Sequence, residues 1–204
     1  MITIADYGLG NIRAFVNIYK KLNIDVAVAQ TAAELELASR IILPGVGAFD
    51  WAMARLNASG LRDTLDELVL GRKLPVFGVC VGMQMMCKRS DEGELPGLGW
   101  LDAEVVRFDV GEGSRQGLQL PHMGWNDVAP VATDSLFEGL DDWRCYFLHS
   151  YYVRPIDPAI TLAQTNYGGL FTSAVRSGNV CATQFHPEKS HGWGVALLRN
   201  FAVN

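Results

Sequence analysis

The sequence predicts an α/β fold: a three-layer domain with a mixed, mostly parallel central sheet covered by helices. Two patterns predict it. Short apolar runs alternate with helical spacing through the first half, which implies right-handed crossovers and a parallel sheet with both faces covered. Short strand candidates separated by turn residues fill the second half, which implies antiparallel additions to that sheet. At 204 residues, against about 150 per domain, one domain over residues 1–204 is expected, with little room for an appended synthetase or nucleotide-binding domain.

The elements follow in order. Ile2–Ala5 is a β-like run that breaks at Asp6-Tyr7-Gly8-Leu9-Gly10-Asn11, after which Ile12, Phe15, Val16, Ile18, Tyr19 and Leu22 recur at helical spacing. Val26–Ala29 repeats the strand signal, and Arg40–Leu43 gives a third strand that ends sharply at Pro44-Gly45-Val46-Gly47. Helices are expected over Phe49–Leu56 and Leu61–Leu70. Pro75 introduces a fourth strand, Val76–Val79, and Met83–Cys87 starts another helix. Further strands are expected at Ala103–Phe108, Arg144–His149, Thr161–Gln164, Thr172–Arg176 and Cys181–Phe185, with turns such as Tyr167-Gly168-Gly169 between them. A helix over Gly194–Ala202 closes the chain.

Composition excludes several function classes. Lys and Arg number 17 against 22 Asp and Glu, a net charge of −5 with no basic run, so nucleic acid is not an expected partner. The longest apolar stretch, Leu74–Met83, is about half of the ~20 residues a membrane span needs and contains Pro75, Gly78 and Gly82, so it reads as a buried strand. The N-terminal MITIADYG has no basic region and meets Asp6 almost at once; no signal peptide or membrane anchor is expected, and the expected location is cytoplasmic. Cys80, Cys87, Cys145 and Cys181 form no CxxC pair and are too sparse for a disulfide scaffold, so reduced thiols are expected, any one of which could be reactive. No His/Cys cluster has zinc-ligand spacing, and Gly8-Leu9-Gly10 lacks the third glycine of a dinucleotide loop, so no metal or cofactor is expected.

Gly78-Val79-Cys80-Val81-Gly82 ends a buried strand and opens a helix. Two glycines flanking a nucleophile-type residue at such a turn form the nucleophile-elbow pattern, with Cys in place of Ser. A helix N-terminus would favour the Cys80 thiolate; the alternative is a small buried apolar residue. A base is then required. His186 ends the run Cys181–Phe185 and begins His186-Pro187-Glu188. Proline pushes the residue before it into the extended region, where residues i and i+2 face the same way, so Glu188 can fix the tautomer of His186 and stabilise its imidazolium. A strand end capped by a polar turn is the alternative. The backbone N–H of Val81 is one oxyanion donor, and Pro44-Gly45-Val46-Gly47 could bring a second, or be no more than a βα turn. Cys80, His186 and Glu188 all fall at predicted strand ends, where open α/β sheets bind ligands.

These motifs resemble those of the class I, triad-type glutamine amidotransferases: Gly78-Val79-Cys80-Val81-Gly82-Met83-Gln84 is similar to that family's nucleophile motif, and Gln184-Phe185-His186-Pro187-Glu188-Lys189-Ser190 to its His/Glu motif. Within the family, Asp6-Tyr7-Gly8-Leu9-Gly10-Asn11, Pro44-Gly45-Val46-Gly47 and Pro121-His122-Met123-Gly124-Trp125-Asn126 resemble the branch of glutaminase subunits of imidazole glycerol phosphate synthases, from histidine biosynthesis. The resemblance spans almost the whole chain. It implies a flavodoxin-like fold, L-glutamine as substrate, hydrolysis at Cys80 and, as partner, a separate (βα)8 cyclase subunit that uses the ammonia. By matching position it implies Gly45, Gly47, Gln84, Ser150 and Tyr151 at the glutamine, and Asn11, Trp125 and Tyr146 near the partner. It also implies that the strand carrying Val46 and Gly47 completes the oxyanion hole on activation. Val81 departs from the leucine commoner in the family motif, which leaves the backbone donor unaffected. Other readings compete. A partner-positioning module with a vestigial triad is opposed by the complete triad, and the glutaminase subunit of pyridoxal phosphate synthase or a stand-alone Cys hydrolase by the P-H-M-G-W-N passage. A paralogue feeding another route, such as surface-sugar amination, would carry the same triad.

Overall fold

In the computed structural model, which describes residues 1–109 and 118–204, the expected alternation occupies the first half. It runs β1 (Ile2–Ala5), α1 (Ile12–Lys21), β2 (Val26–Ala29), α2 (Ala32–Leu35), β3 (Arg40–Gly45), α3 (Phe49–Ala58), α4 (Arg62–Asp66), β4 (Val76–Cys80) and α5 (Val81–Met85). β1 pairs in parallel with β2 on one side and β3 on the other, and β3 pairs in parallel with β4. The chain therefore reverses its direction across the sheet after β2. Right-handed crossovers then put α1 on one face and the helices after β3 on the other, and they open a crevice at the carboxyl ends of β1 and β3. β1 and β4 are buried along their whole length, as strands covered by helices on both faces must be. α1 seals its face with Phe15 and Tyr19, one turn apart.

The second half adds β5 (Arg89–Ser90), β6 (Ala103–Arg107), β7 (His122–Asp127), β8 (Ala129–Pro130), β9 (Arg144–His149), β10 (Tyr151–Pro155), β11 (Thr161–Asn166), β12 (Leu170–Ser177), β13 (Val180–Thr183) and α6 (His191–Val203). Among the described residues eleven strands form one sheet along the path β2-β1-β3-β4-β13-β12-β10-β6-β5, with β11 joined to β12 and β8 to β11. Among the described residues no helix is long and apolar enough to cross a membrane.

Three expectations change. Arg144–His149 does not extend the central sheet: β9 pairs antiparallel with β7 in a separate two-stranded ribbon, from His122 opposite His149 to Asp127 opposite Arg144. The segment Cys181–Phe185 is not a purely antiparallel addition. β13 pairs antiparallel with β12 but parallel with β4, with Val180 opposite Val76 and Thr183 opposite Val79. That direction delivers residues 184–188 to the same sheet edge as Cys80. The helix expected over Leu61–Leu70 is α4 followed by a π turn, Glu67–Gly71.

Candidate active site

Cys80 is the last residue of β4, and Val81 the first of α5. The turn leaves Cys80 at φ 54°, ψ −113°, a left-handed backbone that an L residue adopts only where its surroundings impose it. Main chain imposes it here. A Cβ on Gly82 would stand 2.0 Å from the Leu43 carbonyl oxygen, and one on Gly45 2.3 Å from the Gly82 nitrogen. The absence of both lets the end of β3 lie directly against the first turn of α5, with Gly45 opposite Cys80 in register. The loop after β1 braces that end from the other side: the buried Tyr7 hydroxyl donates to the Pro44 carbonyl at 2.6 Å.

His186 stands three residues beyond the end of β13, its main-chain N–H donating to the Tyr146 carbonyl at 2.9 Å. It is extended, φ −99° and ψ 94°, as Pro187 requires, but Glu188 reaches it across a 3-10 turn, Pro187–Lys189, and not along an extended chain. His186 Nδ1 and Glu188 Oε1 are 2.9 Å apart, with side chains 4% and 2% exposed. Burial alone would lower the His186 pKa; hydrogen bonds to Cys80 and Glu188, with the charges of both, outweigh it and raise the pKa to about 10. Glu188 Oε2 has no hydrogen-bond partner among the described residues, so this buried carboxylate relies on the imidazolium for its countercharge. The other thiols offer no rival nucleophile. Cys87, Cys145 and Cys181 are fully buried, and burial pushes Cys145 and Cys181 up to about 12 and Cys87 further.

A cavity of 340 Å³ opens onto Cys80 and His186, lined also by Val46, Gly47, Val81, Gln84, Ser150 and Tyr151. That volume suits one small molecule. Gly45 is outside the lining: it is buried beneath the turn, and its part is the close approach to Gly82. Trp125 and Tyr146 are cross-strand partners on the β7–β9 ribbon, ring centroids 6.3 Å apart, and Trp125 is 37% exposed and stacks on His191. Asn11 is exposed at the start of α1, next to Gly10, whose missing side chain leaves room for Pro44. Sequence reasoning missed Glu92, Lys189 and His149, which also line the cavity. Glu92 Oε2 accepts the Phe49 N–H at 2.9 Å at the start of α3, yet it sits in the polar stretch Asp91-Glu92-Gly93-Glu94, which carries no periodic signal.

A profile of the family described as Glutamine amidotransferase class-I matches residues 3–204. The chain is 57% identical over 203 residues to the imidazole glycerol phosphate synthase subunit HisH of Bdellovibrio bacteriovorus, with 99% of each chain covered. It is 48% identical over 203 residues to the subunit of the same name from Leptospira interrogans, again with 99% of each covered. A crystal structure of a glutamine amidotransferase superposes with a TM-score of 0.76 at 25% identity, over 98% of this chain and 96% of that one. Since the matched stretch runs through both the elbow at Cys80 and the turn that joins His186 to Glu188, the chain belongs to the class-I glutamine amidotransferases.

Proposed function

We propose that this protein is the glutaminase subunit of an imidazole glycerol phosphate synthase, hydrolysing L-glutamine to glutamate and ammonia with Cys80 as nucleophile. The observation that carries the chemistry is the buried His186–Glu188 pair, 2.9 Å apart, beside the one thiol that opens into the cavity. With Nδ1 held by Glu188, Nε2 is the nitrogen left for Cys80 and the substrate. The full-length identity to the HisH subunits supports the assignment to this synthase.

The Cys80 thiolate attacks the side-chain amide carbon, and the carbonyl oxygen becomes an oxyanion stabilised by backbone N–H groups at Val81 and at Val46 or Gly47. The His186 imidazolium gives its Nε2 proton to the departing nitrogen as the C–N bond breaks, which releases ammonia and leaves a glutamyl thioester. The imidazole, now neutral, takes a proton from water; the hydroxide formed displaces Cys80 as thiolate and releases glutamate. Glu188 holds the ring throughout. Gln84, Ser150 and Tyr151 shape the substrate pocket, and the Glu92 carboxylate in its wall suits the ammonium group of an amino acid.

Ammonia released to bulk water becomes ammonium and loses its nucleophilicity, so it must pass directly to an acceptor. The proposed partner is the (βα)8 cyclase subunit, which uses ammonia to convert an N′-ribulosyl-formimino aminoimidazole carboxamide ribonucleotide to imidazole glycerol phosphate. Met123, Trp125 and Leu148 form an exposed apolar face on the ribbon beside the cavity, and with Tyr146 and Asn11 they are the surface proposed to meet it. Free thiols at all four cysteines suit the cytoplasm. Cys80→Ala should abolish glutamine-dependent synthesis by the complex and leave ammonia-dependent synthesis intact. Glutaminase activity retained in that variant overturns the nucleophile assignment.

A further inference from the structure

Behind the cavity runs a buried chain of hydrogen bonds that the reaction above does not use. His122 and His149 are cross-strand partners on the ribbon, and His122 Nδ1 lies 3.0 Å from His149 Nε2. His149 Nδ1 lies 2.8 Å from the Tyr151 carbonyl, and His122 Nε2 lies 3.2 Å from Asn126 Nδ2. The His122 ring is clamped between Phe147, at 4.6 Å, and Tyr167, at 3.9 Å, both nearly parallel to it. Burial holds both imidazoles neutral, with His149 lowered to about 3 and His122 to about 4.

Neutrality fixes every donor in the chain. The Tyr151 carbonyl can only accept, so His149 carries its proton on Nδ1 and accepts at Nε2. His122 must then donate from Nδ1 and accept at Nε2. Asn126 can supply that proton because its amide is oriented from outside: Nδ2 also donates to the Asn166 carbonyl at 3.0 Å, and Oδ1 accepts from the Asp127 N–H at 2.8 Å. Beyond Tyr151 the order continues. The same carbonyl accepts from Gln84 Nε2 at 3.1 Å, Gln84 Nε2 also donates to Gln184 Oε1 at 3.1 Å, and Gln184 Nε2 donates to the Cys80 sulfur at 3.7 Å.

We propose that His122 is a positioning residue for the glutaminase reaction. Together with Asn126 it locks His149 in the Nδ1–H tautomer, and so holds in place the Tyr151 carbonyl, the acceptor that also orients Gln84 and, through it, the Gln184 amide whose N–H meets the nucleophile sulfur. The proposal rests on the glutaminase reading, and it assigns a chemical reason to the polar residues of the Pro121–Asn126 passage. His122 and Asn126 face inward on either side of the exposed Met123 and Trp125.

The test pairs two nearly isosteric variants with a spectrum. His122→Asn keeps an N–H donor where Nδ1 stood, and His122→Leu does not. With the full chain bound to its cyclase, His122→Leu should lower kcat/KM for glutamine by about tenfold or more, since displacement of about 1 Å at a reacting group costs up to ~10²-fold; His122→Asn, which keeps the donor, should stay within about threefold of the parent, equivalent to about 0.7 kcal/mol. Nitrogen-15 spectra of the parent should show both imidazoles neutral, each protonated at Nδ1 alone. A proton on Nε2 of His149 overturns the proposal even if His122→Leu fails to fold, and so does equal turnover by the two variants. A parent complex that releases no glutamate overturns the reaction itself, whereas an active parent with indifferent variants overturns the positioning role alone.

Discussion

Gly82→Ala should reduce glutamine turnover by about two orders of magnitude in a protein that still folds. A Cβ there would stand 2.0 Å from the Leu43 oxygen, 3.0 Å from the Leu43 carbonyl carbon and 3.2 Å from the Pro44 carbonyl carbon. All three are main-chain atoms, so no side chain can swing aside. Restoring an ordinary contact of 3.4 Å needs 3.4 − 2.0, or 1.4 Å, of separation between β3 and α5. β3 is held to β4 from Ile41 through Gly45, so the movement is passed to the segment just beyond the paired strand, at Val46–Gly47. That segment carries the proposed oxyanion donors, and displacement of about 1 Å at a reacting group is worth ~10² in rate. Overpacking should cost about 1–3 kcal/mol of stability, equivalent to a fall in Tm of about 2–4 °C per kcal/mol for a chain of this size. The assay is glutamate release at saturating glutamine by the complex, with ammonia-dependent synthesis as the control for assembly. A variant with parental kcat would refute the reasoning, because the strand end would then have no part in setting the rate.

Two further predictions follow from the same geometry. Glu188→Gln removes the carboxylate at 2.9 Å from His186 and should lower kcat by ~10²–10⁴, the usual range for disabling a general acid–base. It should also change how stability depends on pH. The folded state raises His186 from 6.5 to about 10, so its stabilisation is complete below pH 6.5 and is lost as the pH rises through about 10. Over that interval the parent Tm should fall, and the Glu188→Gln Tm should fall less steeply; parallel curves would show that Glu188 does not hold the proton on His186. Tyr7→Phe deletes the hydroxyl that donates to the Pro44 carbonyl and should cost about 1–3 kcal/mol by leaving a buried acceptor unpaired. Turnover should fall with it, read by urea unfolding and glutamate release; stability lost without any loss of turnover would detach this brace from catalysis.

The parts of the site that were legible in the sequence obey local rules. A cysteine between glycines at the end of an apolar run, and a histidine before Pro-Glu at the end of another, announce a strand end and a projecting side chain without reference to the rest of the chain. The alternation of the first half was legible for the same reason, since strands buried on both faces leave apolar runs with no polar break. The ribbon was not. β7 turns His122 and Asn126 inward, and their polarity is absorbed by partners 27 and 40 residues away, so its inner face has no apolar alternation to read. β10 was reduced to pocket residues because only Ser150 separates it from β9. α2 did carry a readable signal, Thr31 with Glu34 three residues on, which forms a capping box.

The parallel pairing of β13 with β4 separates what the chain can vary from what it cannot. The proposed nucleophile, Cys80, ends one strand and its proposed base, His186, lies just beyond the end of the adjacent one; four register pairs from Val180–Val76 to Thr183–Val79 hold the two strands together, although more than a hundred residues lie between Cys80 and His186 in sequence. Insertions and deletions in the loops of that long excursion, away from α5 and from Tyr146, whose carbonyl holds the His186 N–H, alter surfaces without altering the distance from sulfur to imidazole. One residue added within Val76–Cys80 or Val180–His186 would shift the register by about 3.3 Å and turn each side chain to the opposite face. The spacing of Cys80 and His186 is thus set by two short strands, and a change of loop length elsewhere in the excursion leaves it in place.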